Sequence, residues 1–162
     1  TMTGATSILN HINKVVEAAR QRGGFDAMCF NKMTVLEAEK GRVRGEVAVA
    51  KEYLNTIGST HGGWLSTLVD VGGSLAVASH GFATNGVSTD ISVSFLAGSK
   101  EGDKVVFDAQ VLKLGNTLAY TRVDIFANSR MIATGSHTKY IARETAAKKE
   151  AAAAAATAEK TE

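Results

Sequence analysis

The chain has 162 residues, a formal net charge of +2 and 21% charged residues. This length suits one domain with a substantial hydrophobic core, and the small net charge, with no basic stripe interleaved with aromatic residues, excludes the electrostatic footprint of a nucleic-acid-binding protein. The single cysteine, Cys29, excludes an internal disulfide and a cysteine-rich zinc site, and it suits a reducing compartment.

An amphipathic helix is predicted over residues 7–22, where apolar residues recur at helical spacing and Gly23-Gly24 marks the end. Basic residues on this helix are compatible with a mitochondrial targeting segment, whereas Glu17 argues against one. The sequence shows neither the basic-then-apolar order of a secretory signal nor an apolar run of roughly 18 residues or more. We therefore expect a cytoplasmic protein, with a mitochondrial location as the alternative.

Two strands are predicted next, over residues 33–39 and 42–50, with a turn around Lys40-Gly41 between them. In the second strand apolar residues alternate with charged ones, which is typical of a half-buried antiparallel strand. A loop that contains Asn55 and Gly58 then leads to the centre of the chain.

A long central helix is predicted over about residues 62–80, and His61-Gly62-Gly63 opens it. Its residues are apolar or small on every side, which is typical of a buried helix, and Asp70 is the only ionisable residue between positions 62 and 79. Such a carboxylate is either hydrogen-bonded to buried donors or takes part in catalysis, as a general base or as a nucleophile. The two glycines expose backbone N–H groups that can polarise a substrate carbonyl, and the amide of Asn55 is a candidate second donor.

Four further strands are predicted over residues 87–95, 104–114, 117–127 and 131–141, with tight turns between the later three. This order of elements predicts an α+β fold in which a curled, six-stranded antiparallel sheet wraps around the central helix. The uncovered side of that helix and the sheet edges predict self-association. Residues 144–162 form an Ala/Lys/Glu-rich tail, which we expect to be helical or disordered because it has no large apolar residue to bury.

The spacing of residues in the sequence excludes several kinds of catalytic or binding site. His11, His80 and His137 lack the spacing of metal ligands, so no metal site is expected. The serines do not lie in a nucleophile elbow, and neither a phosphate-binding loop nor a dinucleotide fingerprint is present. We therefore expect an enzyme that works without a cofactor.

Five short segments together carry a family resemblance: NTIGSTHGG at residues 55–63, LVD at 68–70, GVS at 86–88, VLK at 111–113 and TLAY at 117–120. They resemble the hotdog-fold acyl-CoA thioesterases, and within these the phenylacetate-type and thioesterase superfamily member 2 (acyl-CoA thioesterase 13) group. The resemblance covers residues 8–141 and leaves out the tail. It implies one hotdog domain over residues 1–143 that hydrolyses acyl-CoA to a free acid and coenzyme A.

The resemblance also implies homodimers or dimers of dimers, with active sites at the dimer interface. Carried over to matching positions, Asn55 and the Gly62 N–H would polarise the thioester carbonyl, Asp70 and Ser88 would orient and activate water, and His61 would support the loop or the leaving group. Four further residues are candidates for binding the substrate: Gly63 through its backbone N–H, and Lys100, Lys113 and Lys139 as contacts to phosphates.

Two other functions remain open at this point. A hotdog hydratase or dehydratase would act on enoyl or hydroxyacyl thioesters, and a non-catalytic module would only bind acyl-CoA. Both would use the same fold, and assays of thiol release and of binding separate them from a thioesterase.

Overall fold

The computed structural model describes residues 4–82 and 86–141. Its helices are α1 (Gly4–Arg22), α2 (Gly24–Phe30) and α3 (Gly62–Ala78), with a short 3-10 turn at Lys51–Tyr53. Its strands are β1 (Met33–Glu39), β2 (Arg42–Ala48), β3 (Val87–Phe95), β4 (Lys104–Leu114), β5 (Leu118–Ala127) and β6 (Arg130–Tyr140). All of the predicted strands and both predicted helices are therefore present, with ends that differ by a few residues at most.

The strands form one antiparallel, six-stranded sheet in the order β1-β2-β4-β5-β6-β3. Helix α3 lies across one face and contacts β2 to β6. The α+β class, the antiparallel sheet and the central helix are thus confirmed. The sheet is at most weakly curved, so it covers one side of α3 and does not close around the helix.

Helix α3 packs unusually close to the sheet because two of its residues have no side chain. A Cβ atom at Gly73 would lie 2.5 Å from Thr121 Oγ1 and 2.8 Å from His137 Nδ1, and one at Gly72 would lie 3.1 Å from the Phe107 ring. Glycine inside a helix costs about 1 kcal/mol relative to alanine, so close packing must offset that cost. The close contact brings the middle of α3 against β5 and β6.

We expect Gly73→Ala to lower the free energy of unfolding by about 1–3 kcal/mol, because an added methyl overpacks a full interior even though alanine favours the helix. Urea unfolding measures the change. The matched control is Gly4→Ala in α1, where a Cβ atom meets nothing within 4 Å. A Gly73→Ala protein as stable as the wild type would contradict the close-packing account.

The turn between β5 and β6 uses Asn128 and Ser129, whose φ angles are 50° and 63°. Two successive left-handed residues make the tight turn that matches the twist of a β-hairpin, as the sequence predicts. The short helix α2 was not predicted. It is held by Arg20, whose guanidinium donates to the Phe30 carbonyl (2.8 Å) and to the Met33 carbonyl (2.6 Å), contacts that no local pattern reveals.

None of the helices in the described part of the chain is both long and apolar enough to cross a membrane. The tail predicted for residues 144–162 lies outside the described residues.

Candidate active site

Asp70 lies on α3 at the wall of an open pocket of about 620 Å³. The flanking residues Val69 and Val71 are buried, but 40% of the Asp70 side chain is exposed. The expectation of a carboxylate enclosed by apolar residues is therefore wrong in one respect, because α3 is covered by the sheet on one side only. A substrate can reach this carboxylate.

Ser88 and His137 extend from the sheet towards Asp70. Ser88 Oγ donates to Asp70 Oδ1 at 3.2 Å, and His137 Nε2 lies 2.8 Å from Ser88 Oγ and 3.5 Å from Asp70 Oδ1. The register between β3 and β6 shifts between Ser88 and Asp90, and a bulge of this kind re-aims a side chain. Three groups from α3, β3 and β6 thus form one hydrogen-bonded chain.

His137 is fully buried. Burial lowers the pKa of His137 to about 4, against a raising effect of Asp70 and together with a lowering effect of Lys139. The imidazole is therefore neutral at pH 7. Its Nδ1 atom has no hydrogen-bond partner among the described residues, and an unpaired N–H costs more than an unpaired lone pair. This favours the tautomer in which Nε2–H donates to Ser88, which leaves the Ser88 hydroxyl hydrogen for Asp70.

The low pKa of His137 predicts that the stability of the fold depends on pH. Because the unfolded chain takes up a proton near pH 6.5 and the folded chain only near pH 4, this histidine destabilises the fold as pH falls through that window. Between pH 7 and pH 4.5 this effect lowers the free energy of unfolding by about 2–3 kcal/mol.

We expect His137→Gln to lose that part of the pH dependence, as measured by urea unfolding at both pH values. The wild type serves as the reference because all other titratable groups are shared. Equal pH dependence of the two proteins would show that His137 is not buried in its neutral form.

Lys139 and Ser74 complete the pocket wall beside Asp70. Lys139 is buried, and its Nζ donates to Ser74 Oγ at 2.6 Å and lies 3.9 Å from Asp70 Oδ1. Ser74 Oγ donates to the Asp70 carbonyl at 2.7 Å. The role of Lys139 as a phosphate contact stays a prediction, and in the structure its Nζ atom lies beside the Asp70 carboxylate. Lys100 and Lys113 are exposed and do not line the pocket.

The other predicted site residues surround the start of α3. His61 caps the helix, since its Nδ1 accepts from the Gly63 N–H at 2.8 Å. Gly63 therefore has its donor occupied, whereas the Gly62 N–H has no acceptor among the described residues. Asn55 Oδ1 accepts from the N–H groups of Ile57 (3.0 Å) and Ser59 (3.1 Å), which orders the loop and leaves the Nδ2 hydrogens as donors.

Within a single chain, the residues at the start of α3 do not come close to the residues around Asp70. Gly62 and Asp70 are eight positions apart on α3, which corresponds to about 12 Å along the helix axis. A carbonyl bound at Gly62 and a water held by Asp70 of the same chain would be much too far apart to react. The structure thus contains two half-sites, one with the donors and one with the acid.

His137 and Ser74 are the members of the acid half-site that sequence reasoning missed. The alternating pattern of β6 could have indicated His137, because Gly135, His137 and Lys139 occupy the inward positions of that strand. A histidine and a lysine at such positions are buried polar groups that need partners. Among residues 4–82 and 86–141, no group of three or more His, Cys, Asp or Glu residues is placed to hold a metal ion.

Comparison with known proteins adds independent findings. Residues 57–134 match the profile of the Thioesterase superfamily. The Homo sapiens protein named acyl-coenzyme A thioesterase 13 is 36% identical over 138 residues, which are 84% of this chain and 98% of that protein.

Solved structures are similar as well. The structure of zebra fish thioesterase superfamily member 2 superposes with a TM-score of 0.76 at 36% identity, over 82% of this chain and 96% of that one. A hypothetical thioesterase from Streptococcus pneumoniae, solved with coenzyme A, has a TM-score of 0.65 at 28% identity, over 68% of this chain and 89% of that one.

Proposed function

Since this chain belongs to the thioesterase superfamily and is a thioester hydrolase with the hotdog fold, we propose that it hydrolyses acyl-CoA to a free acid and coenzyme A. The observation that carries the proposal is the accessible Asp70 carboxylate, hydrogen-bonded to Ser88 at the wall of an open pocket. The name of the human relative and the coenzyme A in the streptococcal structure support the choice of substrate. We place the reaction in fatty-acid metabolism, in the cytoplasm.

In the proposed reaction Asp70 acts as a general base. It accepts a proton from a water molecule while the water oxygen attacks the thioester carbon, and Ser88 helps to orient that water. The carbonyl oxygen becomes an oxyanion, which accepts hydrogen bonds from the Gly62 N–H and from Asn55 Nδ2. Collapse of the tetrahedral intermediate breaks the carbon–sulfur bond, and the proton passes from Asp70 to the leaving thiolate. His61 holds the donor loop by capping α3.

The two half-sites meet only if the donors come from a second subunit. The distance of about 12 Å between Gly62 and Asp70 along α3 excludes their joint action in one chain, while a symmetric dimer would pair each acid with the partner's donors. We therefore propose a homodimer, or a dimer of dimers, with two composite active sites in each dimer.

The edge strand β3 supports this assembly. Three large apolar residues on or next to it are more than half exposed: Val87, Phe95 and Leu96. An edge with open hydrogen-bonding groups and exposed apolar side chains is a favourable docking surface. The Phe95 ring also lies beside Gly62, since a Cβ atom there would be 3.3 Å from it. A second chain on this edge is therefore brought close to the donor half-site.

The test of the proposed function is release of free thiol from a series of acyl-CoA substrates by the purified full-length chain. We expect turnover with at least one chain-length class. Consumption of crotonyl-CoA without thiol release would instead identify a hydratase. Calorimetric binding of acyl-CoA without any turnover would identify a binding module, and either result would overturn the proposal.

A further inference from the structure

The hydroxyl of Ser88 in the acid half-site can make three hydrogen bonds, and its neighbours use two of them. A serine hydroxyl has one hydrogen to donate and two lone pairs that accept. Ser88 Oγ donates to Asp70 Oδ1 at 3.2 Å, and it lies 2.8 Å from His137 Nε2. Ser88 is exposed and lines the pocket. When Nε2–H is the donor to Oγ, one lone pair therefore remains for a molecule in the pocket.

The His137 ring is held in place by the elements packed around it. The side chain is fully buried, and the Thr121 hydroxyl donates to the His137 carbonyl at 3.0 Å. On the α3 side, a Cβ atom at Gly73 would lie 2.8 Å from His137 Nδ1 and 3.4 Å from His137 Cβ. A ring packed this closely has little room to turn, because protein interiors are filled to the density of organic crystals. The Nε2 atom therefore keeps its direction towards Ser88.

A contact of 2.8 Å between serine and histidine also occurs where serine is a nucleophile and histidine is its base. That role needs a lone pair on Nε2 and an Nδ1–H that a third group holds. In the described part of the chain nothing binds Nδ1 of His137, so this tautomer would leave an N–H buried without a partner. His137 is also absent from the described lining of the pocket. The arrangement favours a histidine that acts as a donor, through Ser88.

We propose that His137 is a positioning residue for the hydrolysis: its Nε2–H fixes the Ser88 hydroxyl, so that the hydrogen points to Asp70 and a lone pair faces the attacking water. The inference rests on the proposed function, because it assumes that this water lies between Ser88 and Asp70. The water then donates one hydrogen to Asp70 and the other to Ser88 Oγ. Without the His137 donor, Ser88 can turn and donate to the water oxygen, which engages the lone pair that attacks the thioester carbon.

The test is a double-mutant cycle of His137→Leu and Ser88→Ala, with thiol release from acyl-CoA as the readout. In the wild-type background we expect His137→Leu to lower kcat about 3- to 10-fold, the value of one neutral hydrogen bond, with little change in KM. In the Ser88→Ala background we expect no further fall. A residue that only supports the fold would lower kcat by the same factor in both backgrounds.

Two further variants complete the test. His137→Gln should restore most of the activity that His137→Leu loses, because the glutamine amide places an N–H donor at about the reach of Nε2. The matched control is His80→Leu, since His80 is another histidine whose Nε2 atom is buried but lies outside the lining of this pocket. This control should leave kcat unchanged.

An unchanged kcat in His137→Leu, or an equal loss in both backgrounds, would overturn the inference and leave the proposed function intact. If the wild type releases no thiol from any acyl-CoA, the proposed function itself fails. The ¹⁵N spectrum of the His137 imidazole then still decides how Ser88 is oriented. A protonated Nε2 whose signal shifts in Ser88→Ala would support the donor to Ser88, and a protonated Nδ1 would contradict it.

Discussion

Replacement of Asp70 by asparagine is expected to slow thiol release from acyl-CoA by about 10²–10⁴-fold, the usual contribution of a general base. Asparagine keeps an oxygen that accepts the hydrogen bond from Ser88, which is 3.2 Å long in the structure. It cannot accept a proton from water at neutral pH. The loss should therefore appear in kcat, while the circular dichroism spectrum stays close to that of the wild type.

The matched control for this substitution is Asp124→Asn. Asp124 is also a partly exposed carboxylate that accepts hydrogen bonds, from Thr134 and Arg122, but it lies outside the pocket. Its variant should retain full activity. If the Asp70→Asn variant hydrolysed acyl-CoA as fast as the wild type, Asp70 would not take part in the reaction.

A single-turnover reaction in ¹⁸O-labelled water separates the two roles of Asp70. A general base directs the label into the product acid alone, whereas a nucleophile passes through an anhydride with the acyl group. Attack of water on the aspartyl carbon of that anhydride would leave the label in the protein. We expect no label in Asp70.

Replacement of Asn55 by aspartate is expected to lower kcat by about 10²–10³-fold, the cost of losing one oxyanion donor. Aspartate keeps the Oδ1 acceptor for the N–H groups of Ile57 and Ser59, so the loop should stay ordered. It replaces the Nδ2 donor with an oxygen that repels the developing negative charge. Thiol-release kinetics at saturating acyl-CoA measure the effect, and an unchanged kcat would exclude Asn55 as a donor.

The strands and the central helix were predictable because their signals are local. Alternation in β2 and β4 reflects burial against α3, and glycine or Asn-Ser pairs mark the turns. The strand β3 shows the limit of this reasoning. Its sequence alternates like that of a half-buried strand, yet nearly all of its residues are exposed. The reason is that β3 forms one edge of the sheet and α3 covers only a small part of it.

The active-site prediction was limited in the same way. Asp70 was identified by its contrast with an apolar helix, and Ser88 by resemblance, and the structure places them in hydrogen-bond contact. His137 was passed over, because its position beside Ser88 depends on the pairing of β3 with β6 and on a bulge in that pairing. Lys139 was predicted as a phosphate contact, and its position beside Asp70 depends on the same strand pairing. Register between distant strands is set by tertiary packing, which spacing along the chain does not express.

The most direct test of the composite active site is complementation between the two inactive variants, Asp70→Asn and Asn55→Asp, after co-expression of equal amounts. Random pairing gives mixed dimers in half of the population, and each has one site with both residues intact, so about a quarter of wild-type activity should return. Sedimentation of the same sample should show a dimer or larger assembly. Activity no higher than that of the separate variants, or a fully active monomer, would contradict an active site shared between subunits.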